Sequence, residues 1–171
     1  MVVGVGGEIL PVTLEKMVEI YDTIFIDIQS IIYVFNGVNG IVNLVPLKDS
    51  GFYHLLPIIG FLKASDEEAL FMEVEEVQKK CCVVVTHGKE MCELYLRDGE
   101  MMKISPFSVN QVDLMSARDC FVGRFMAGLV QGLAVPDVAL LGNLFGSITV
   151  SKMIISYVSE IVFYVVNRSI D

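Results

Sequence analysis

The sequence predicts an α/β fold built around a mainly parallel sheet, and three observations carry that expectation. Strand-like and helix-like segments alternate along the chain, the pattern that lays helices over a sheet. Cys82-Val83-Val84-Val85-Thr86 is a short, unbroken apolar run, the signature of a strand buried on both faces. Ser65-Asp66-Glu67-Glu68 follows another apolar run directly, offering a helix cap and an acidic first turn that suits the helix dipole. No repeat, low-complexity tract or linker interrupts residues 1–171, so a single domain is expected.

Taken in order, Thr13–Ile20 reads as a short helix with Thr13 as its N-cap and Glu15 in its first turn. Lys16 stands where a capping box would place Glu or Gln. Thr23–Asp27 reads as a buried strand ending on a carboxylate, and Gly40–Leu47 as another after turns at Asn36-Gly37 and Asn39-Gly40. Ile58–Lys63 is a third strand, running into the Ser65 cap. Glu73–Lys80 reads as a charged, exposed helix leading into Cys82–Thr86, expected to be a central strand. Cys92–Leu96 alternates, and Asp98-Gly99 predicts a hairpin into Glu100–Ile104. Phe121, Phe125, Leu129 and Leu133 recur near helical spacing after Asp119, and Pro136 sits at a favourable first-turn position for a second helix.

Composition narrows the function classes. A net charge of −9, with no basic cluster beyond Lys79-Lys80, argues against nucleic acid, whose phosphates call for concentrated Lys and Arg. The 54% hydrophobic content raises the question of a membrane. Met153–Val166 is strongly apolar, but Lys152 and Glu160 interrupt it and it falls short of the roughly 20 residues a span needs. A packed terminal helix or strand is expected there instead. Met1–Glu8 lacks the basic start and long apolar run of a secretory signal. Cys81, Cys82, Cys92 and Cys120 form no CxxC pair, so reduced thiols in a cytoplasmic protein are expected, with Cys81 and Cys82 on opposite strand faces. His54 and His87 are isolated and expected to play ordinary hydrogen-bonded roles.

The stretch Val112–Gly123 carries the most chemistry. It places Asp119 after small residues at the head of an apolar helical pattern. Amides at a helix start lack intrahelical partners and carry partial positive charge, so they can hold an anion while a carboxylate takes a proton from a hydroxyl. That pairing suits phosphoryl transfer to an alcohol. The plainer reading is an acidic first-turn residue worth up to about 1 kcal/mol. Likewise Ser65 and Glu68 have the spacing of an ordinary capping box, Gly88 and Gly142 can be turn or packing glycines, and Asn143 a satisfied core amide.

The order of these features resembles the C-terminal half of the PfkB-family carbohydrate kinases, of ribokinase-like fold, and most nearly the plant-type myo-inositol kinase branch. The resemblance covers most of Gly7 to Val150. It is carried by the stretches Gly7–Glu15, Phe52–Pro57, Phe61–Ser65 and Gly128–Asp137. It implies a three-layer ribokinase-like core without the family's N-terminal portion and lid. Ser116-Ala117-Arg118-Asp119 stands at the family's Gly-Ala-Gly-Asp motif, which implies Asp119 as catalytic base and the amides of Ser116, Ala117 and Arg118 as anion hole. Arg118 replaces a glycine; its side chain can obstruct a phosphate or pair with it bidentately. Leu114, Met115 and Arg124 depart from the family's small residues as well.

Ser65–Glu68 is similar to the Asn-x-x-Glu motif that organises magnesium, which implies Glu68 near the metal through water. Thr86-His87-Gly88-Lys89-Glu90-Met91 resembles a nucleotide-binding Thr-x-Gly-x-x-Gly turn, with Met91 for the last glycine, and implies Thr86 and Gly88 at the nucleotide. Asn143 matches a residue near the adenine. The implied cofactors are ATP and Mg2+, and the implied acceptor is a cyclitol or sugar. The alternative is a truncated, inactive pseudokinase that binds a nucleotide or protein, for which Arg118 and Met91 argue. A sheet lacking its early strands exposes an edge, so self-association through that edge is expected.

Overall fold

Phe25–Asp27 (β1), Phe61–Ser65 (β4) and Cys82–Thr86 (β5) lie side by side as parallel strands because almost every residue in them needs burial on both faces. The computed structural model describes residues 1–4, 7–38, 40–88, 90–105, 107 and 115–150. The chain divides into two units, Met1–Ile104 and Ser105–Asp171.

In the first unit Cys92–Tyr95 (β6) and Met101–Ile104 (β7) complete a mixed five-stranded sheet of order β1-β4-β5-β6-β7, the last two pairings antiparallel. Their side chains alternate between buried or half-buried and more exposed positions, as one-sided strands do. The expected turn joins them: Leu96 accepts from the Gly99 amide, Asp98 Oδ1 from the Glu100 amide, and Gly99 takes φ +92°. Val2 bridges in parallel to Ile26 along the far side of β1. Between β4 and β5 the chain crosses over through Asp66–Ala69 (α3) and Val74–Gln78 (α4).

One buried ion pair joins the parallel strands. Asp27 and Lys63 are register partners on β1 and β4, 2% and 1% exposed, with Nζ 3.1 Å from Oδ2. The surrounding backbone is drawn in too. Asp27 Oδ1 accepts from the Gln29 amide, the Asp27 carbonyl from Ser30 Oγ at 2.6 Å, and the Lys63 carbonyl from the Ile28 amide. These bonds start Gln29–Ile32 (α2), whose Ile31 and Ile32 are buried in the core with Leu56, Leu62 and Val83.

Tyr33–Asn36 (β2) and Ile41–Leu44 (β3) then form a separate antiparallel hairpin. Asn36 closes its turn, taking the Val38 amide on its side chain and the Gly40 amide on its carbonyl, with Gly40 at φ +70°. The expected Gly40–Leu47 strand is thus shorter, and its partner β2 lies in an unbroken apolar run that gives no alternation signal.

Other boundaries move for identifiable reasons. The first helix is Pro11–Val18 (α1), not Thr13–Ile20: Pro11 opens it with a preset φ, and Leu10, not Thr13, is the N-cap. Ile58 closes a 3-10 turn over Tyr53–Ile58, so the third strand begins only at Phe61. The helix expected to be exposed over Glu73–Lys80 buries Val77 and Gln78, and Gln78 Nε2 donates to the Leu96 and Glu100 carbonyls. No helix among the described residues is long and apolar enough to cross a membrane, and Met153–Val166 lies outside those residues.

The second unit contributes Met115–Val130 (α5) and Val135–Val150 (α6). Gly132, at φ +74°, ends α5: its amide bonds to the Leu129 carbonyl and the Leu133 amide to that of Gly128, a Schellman closure. Leu133 therefore falls past the helix rather than on its apolar stripe. Pro136 sits in the first turn of α6 as expected.

Two predictions follow from the first unit. Asp27→Ala or Lys63→Ala should each cost about 3–5 kcal/mol in urea unfolding, because each strands a buried charge, and Asp27→Leu with Lys63→Met should cost less than either. Burial pushes the Cys81 and Cys92 thiols up to about 12, so alkylation at pH 8 should leave both unmodified in the folded protein. Half-buried Cys82 and Cys120 should react first, as read by mass spectrometry.

Candidate functional site

Parallel strands present their C-terminal ends along one edge, where open α/β sheets bind ligands. Here that edge carries Asp27, Ser65 and Thr86, the last residues of β1, β4 and β5. Ser65 and Thr86 are register partners, and Thr86 Oγ1 donates to the Ala64 carbonyl at 3.3 Å. The first unit therefore brings together three of the predicted positions: Glu68, just inside α3, and Thr86 with Gly88 beyond β5.

Ser65 forms a complete capping box. Its hydroxyl accepts from the Glu68 amide at 3.3 Å, and Glu68 Oε2 accepts from the Ser65 amide at 2.8 Å. Glu68 is only 2% exposed, and its Oε1 accepts from the Tyr33 hydroxyl at 3.3 Å. With both oxygens already turned toward protein donors, Glu68 does not fit direct magnesium coordination. A fixed, oriented carboxylate does fit an ion held one water away. Among the described residues no group of three His, Cys, Asp or Glu could hold a metal.

The turn after Thr86 is closed by the His87 amide on the Met91 carbonyl and the Glu90 amide on the His87 carbonyl, both 2.9 Å. Gly88 takes φ +53° there, a left-handed conformation that favours glycine, and Lys89 lies outside the described residues. His87 Nε2 is buried beside β6, 3.2 Å from Glu93 Oε2. His54, by contrast, lies exposed, 3.7 Å from Glu15.

Glu93 gathers Lys103 on Oε1 at 2.9 Å and the Tyr95 hydroxyl on Oε2 at 2.8 Å. The Lys103 bond, above all, holds its carboxyl below the usual range. Burial, then the bond to Glu93, pushes the Tyr95 phenol up to about 12.

In the second unit Ser116, Ala117, Arg118 and Asp119 all lie within α5, with Asp119 exposed. The expectation put Asp119 at the helix head; the helix already runs from Met115, about a turn earlier. Met, Ala and Arg are strong helix formers, and no glycine stands here to delay the start. Val112, Asp113 and Leu114 lie outside the described residues.

The antiparallel packing of α5 on α6 depends on glycines. A Cβ on Gly142 would meet the Phe121 ring at 2.8 Å, one on Gly128 would meet Val138 at 3.0 Å, and one on Gly146 would meet the Ala117 carbonyl at 3.3 Å. Gly142 is therefore a packing glycine. The Arg124 guanidinium lies 3.9 Å from the centre of the Phe145 ring, and Asn143 Nδ2 donates to the Ser105 carbonyl at 3.4 Å. Sequence reasoning missed Tyr33, whose contact with Glu68 spans 35 residues and leaves no local signal. It also missed the Asp27–Lys63 pair, although a charged residue at the end of each expected apolar strand was the available clue.

A model of the pfkB family carbohydrate kinases matches residues 36–159. The inositol 3-kinase of Arabidopsis thaliana is 62% identical over 153 residues, covering 90% of this chain and 43% of that protein. The inositol 3-kinase of Zea mays is 45% identical over 153 residues, covering 90% and 40%. The chain thus spans less than half the length of these curated relatives. Among solved structures, a pyrophosphate-dependent kinase in the ribokinase family, complexed with a pyrophosphate analog and myo-inositol, matches with a TM-score of 0.72. That match covers 88% of this chain and 59% of the other at 13% identity, a likeness of fold.

The glycine contacts predict a sharp contrast within one helix pair. Gly142→Ala should destabilise by about 1–3 kcal/mol, since a core ring must move. Gly123→Ala, exposed on α5 with nothing within 4 Å of its added carbon, should stabilise by about 0.5–1 kcal/mol in thermal unfolding.

Proposed function

The chain belongs to the pfkB family of carbohydrate kinases, and we propose that it transfers the γ-phosphate of ATP to a hydroxyl of myo-inositol or a related cyclitol or sugar. The observation that carries this reading is the extended identity to inositol 3-kinases. The strand-end placement of Ser65 and Thr86 supports it.

Asp119 would take the acceptor's proton as the hydroxyl oxygen attacks the γ-phosphorus. The bond to the β–γ bridging oxygen breaks, and its electron pair leaves with ADP. The amides of Ser116, Ala117 and Arg118, near the positive end of α5, would hold the transferring phosphoryl group, and the Arg118 guanidinium could grip its oxygens bidentately. Thr86 and Gly88 would contact the nucleotide, and the resemblance assigns Asn143 the same role. Magnesium, when bound, neutralises charge on the β- and γ-phosphates, and Glu68 would act toward it through ordered water.

The purified chain should form ADP from ATP with magnesium and myo-inositol, and Asp119→Asn should lower the rate about 10²–10⁴-fold. Arg118→Gly should change turnover without changing the fold, rising if the side chain obstructs the phosphate and falling if it binds it. Turnover no greater than that of Asp119→Asn would sink the kinase reading for this chain and leave an inactive nucleotide-binding module.

A further inference from the structure

Tyr33 opens β2, paired across the hairpin with Leu44, and follows Ile32, which is fully buried. Its ring is half-buried and its hydroxyl reaches across to Glu68 Oε1. The Ser65 amide holds the other oxygen, Oε2. A glutamate's terminal torsion is broad, so a single bond leaves the carboxylate plane free to swing. Two donors approaching from different elements, the backbone of β4 and the side chain of β2, fix that plane.

We propose that Tyr33 is a positioning residue for Glu68: it aims the carboxylate from the β2–β3 hairpin and so ties that hairpin to the nucleotide end of the sheet. The inference rests on the reading of Glu68 as a group that acts on hydrated magnesium beside the donor phosphates. Groups around a metal owe their orientation to outer partners; losing the partner of a direct ligand weakens metal affinity by about 10–100-fold, and the low end of that range applies to Tyr33, which reaches the ion through Glu68 and water. Tyr33 supplies that partner here from a segment that contributes nothing else to the predicted site. The capping bond alone stabilises α3; the phenol adds direction.

The test is calorimetric binding of ATP across a magnesium series, on the intact chain. Tyr33→Phe should raise the magnesium concentration for half-maximal ATP binding about tenfold and leave ATP binding without magnesium unchanged. Its melting temperature should fall by no more than about 4 °C, as expected for one lost hydrogen bond in a chain this size. Tyr95→Phe, which removes a phenol–carboxylate bond of the same type at Glu93, should leave the magnesium requirement where it was. Added to Glu68→Gln, Tyr33→Phe should shift that requirement by less than it does alone, because its route runs through the carboxylate. An unchanged requirement in Tyr33→Phe overturns the inference alone, as does an equal shift in Tyr95→Phe. A wild-type chain that binds no ATP at any magnesium concentration overturns the functional reading and this inference with it.

Discussion

The arrangement of the first unit depends on the pair between Asp27 and Lys63. Two charges almost wholly removed from water are tolerated only because each satisfies the other, and because the Gln29 amide and the Ser30 hydroxyl bond to further oxygens of Asp27. That requirement sets β1 against β4 in one register, since a slip of one residue would put the two charges on opposite faces of the sheet. It also starts α2 at the end of β1, and α2 delivers the chain to the hairpin. Apolar burial drives the collapse of these strands, but it would accept several alignments; the ion pair accepts one.

From that register the chemistry of the sheet edge follows. With β4 placed, Ser65 comes level with Thr86 on β5, so the capping box of α3 and the turn after β5 emerge at neighbouring points. The positions that resemble a magnesium motif and a nucleotide turn are thus neighbours because of strand pairing, although 20 residues lie between Ser65 and Thr86. In the second unit the equivalent constraint is steric: three glycines let α6 approach the helix that carries Asp119.

Much of this was legible in the sequence wherever the signal was local. The capping box at Ser65 and Glu68, the Asp98-Gly99 hairpin, the buried run Cys82–Thr86 and the proline in the first turn of α6 each depend on a few adjacent residues and were found. The β2 strand was not, because Ile31–Phe35 is apolar throughout and only its pairing with β3 gives it an identity. α5 starts before Asp119 because Met115, Ala117 and Arg118 favour helix and no glycine interrupts them. The local sequence around Glu68 carries its capping role, whereas its contact with Tyr33 leaves no local signal, since it exists only once the hairpin has folded.

The glycines of α6 have a consequence for how the second unit comes apart. Each one lowers intrinsic helix stability by about 1 kcal/mol relative to alanine, and the β-branched residues near the end of α6 add little back. Taken alone, α6 would be a poor helix, because its glycines weaken the propagation that must offset the cost of nucleation. Its helicity is lent by α5, whose Phe121 ring and Ala117 carbonyl occupy the space the missing side chains leave. The two helices should therefore melt together as one cooperative step, so that hydrogen exchange along α6 reports the integrity of the helix bearing Asp119.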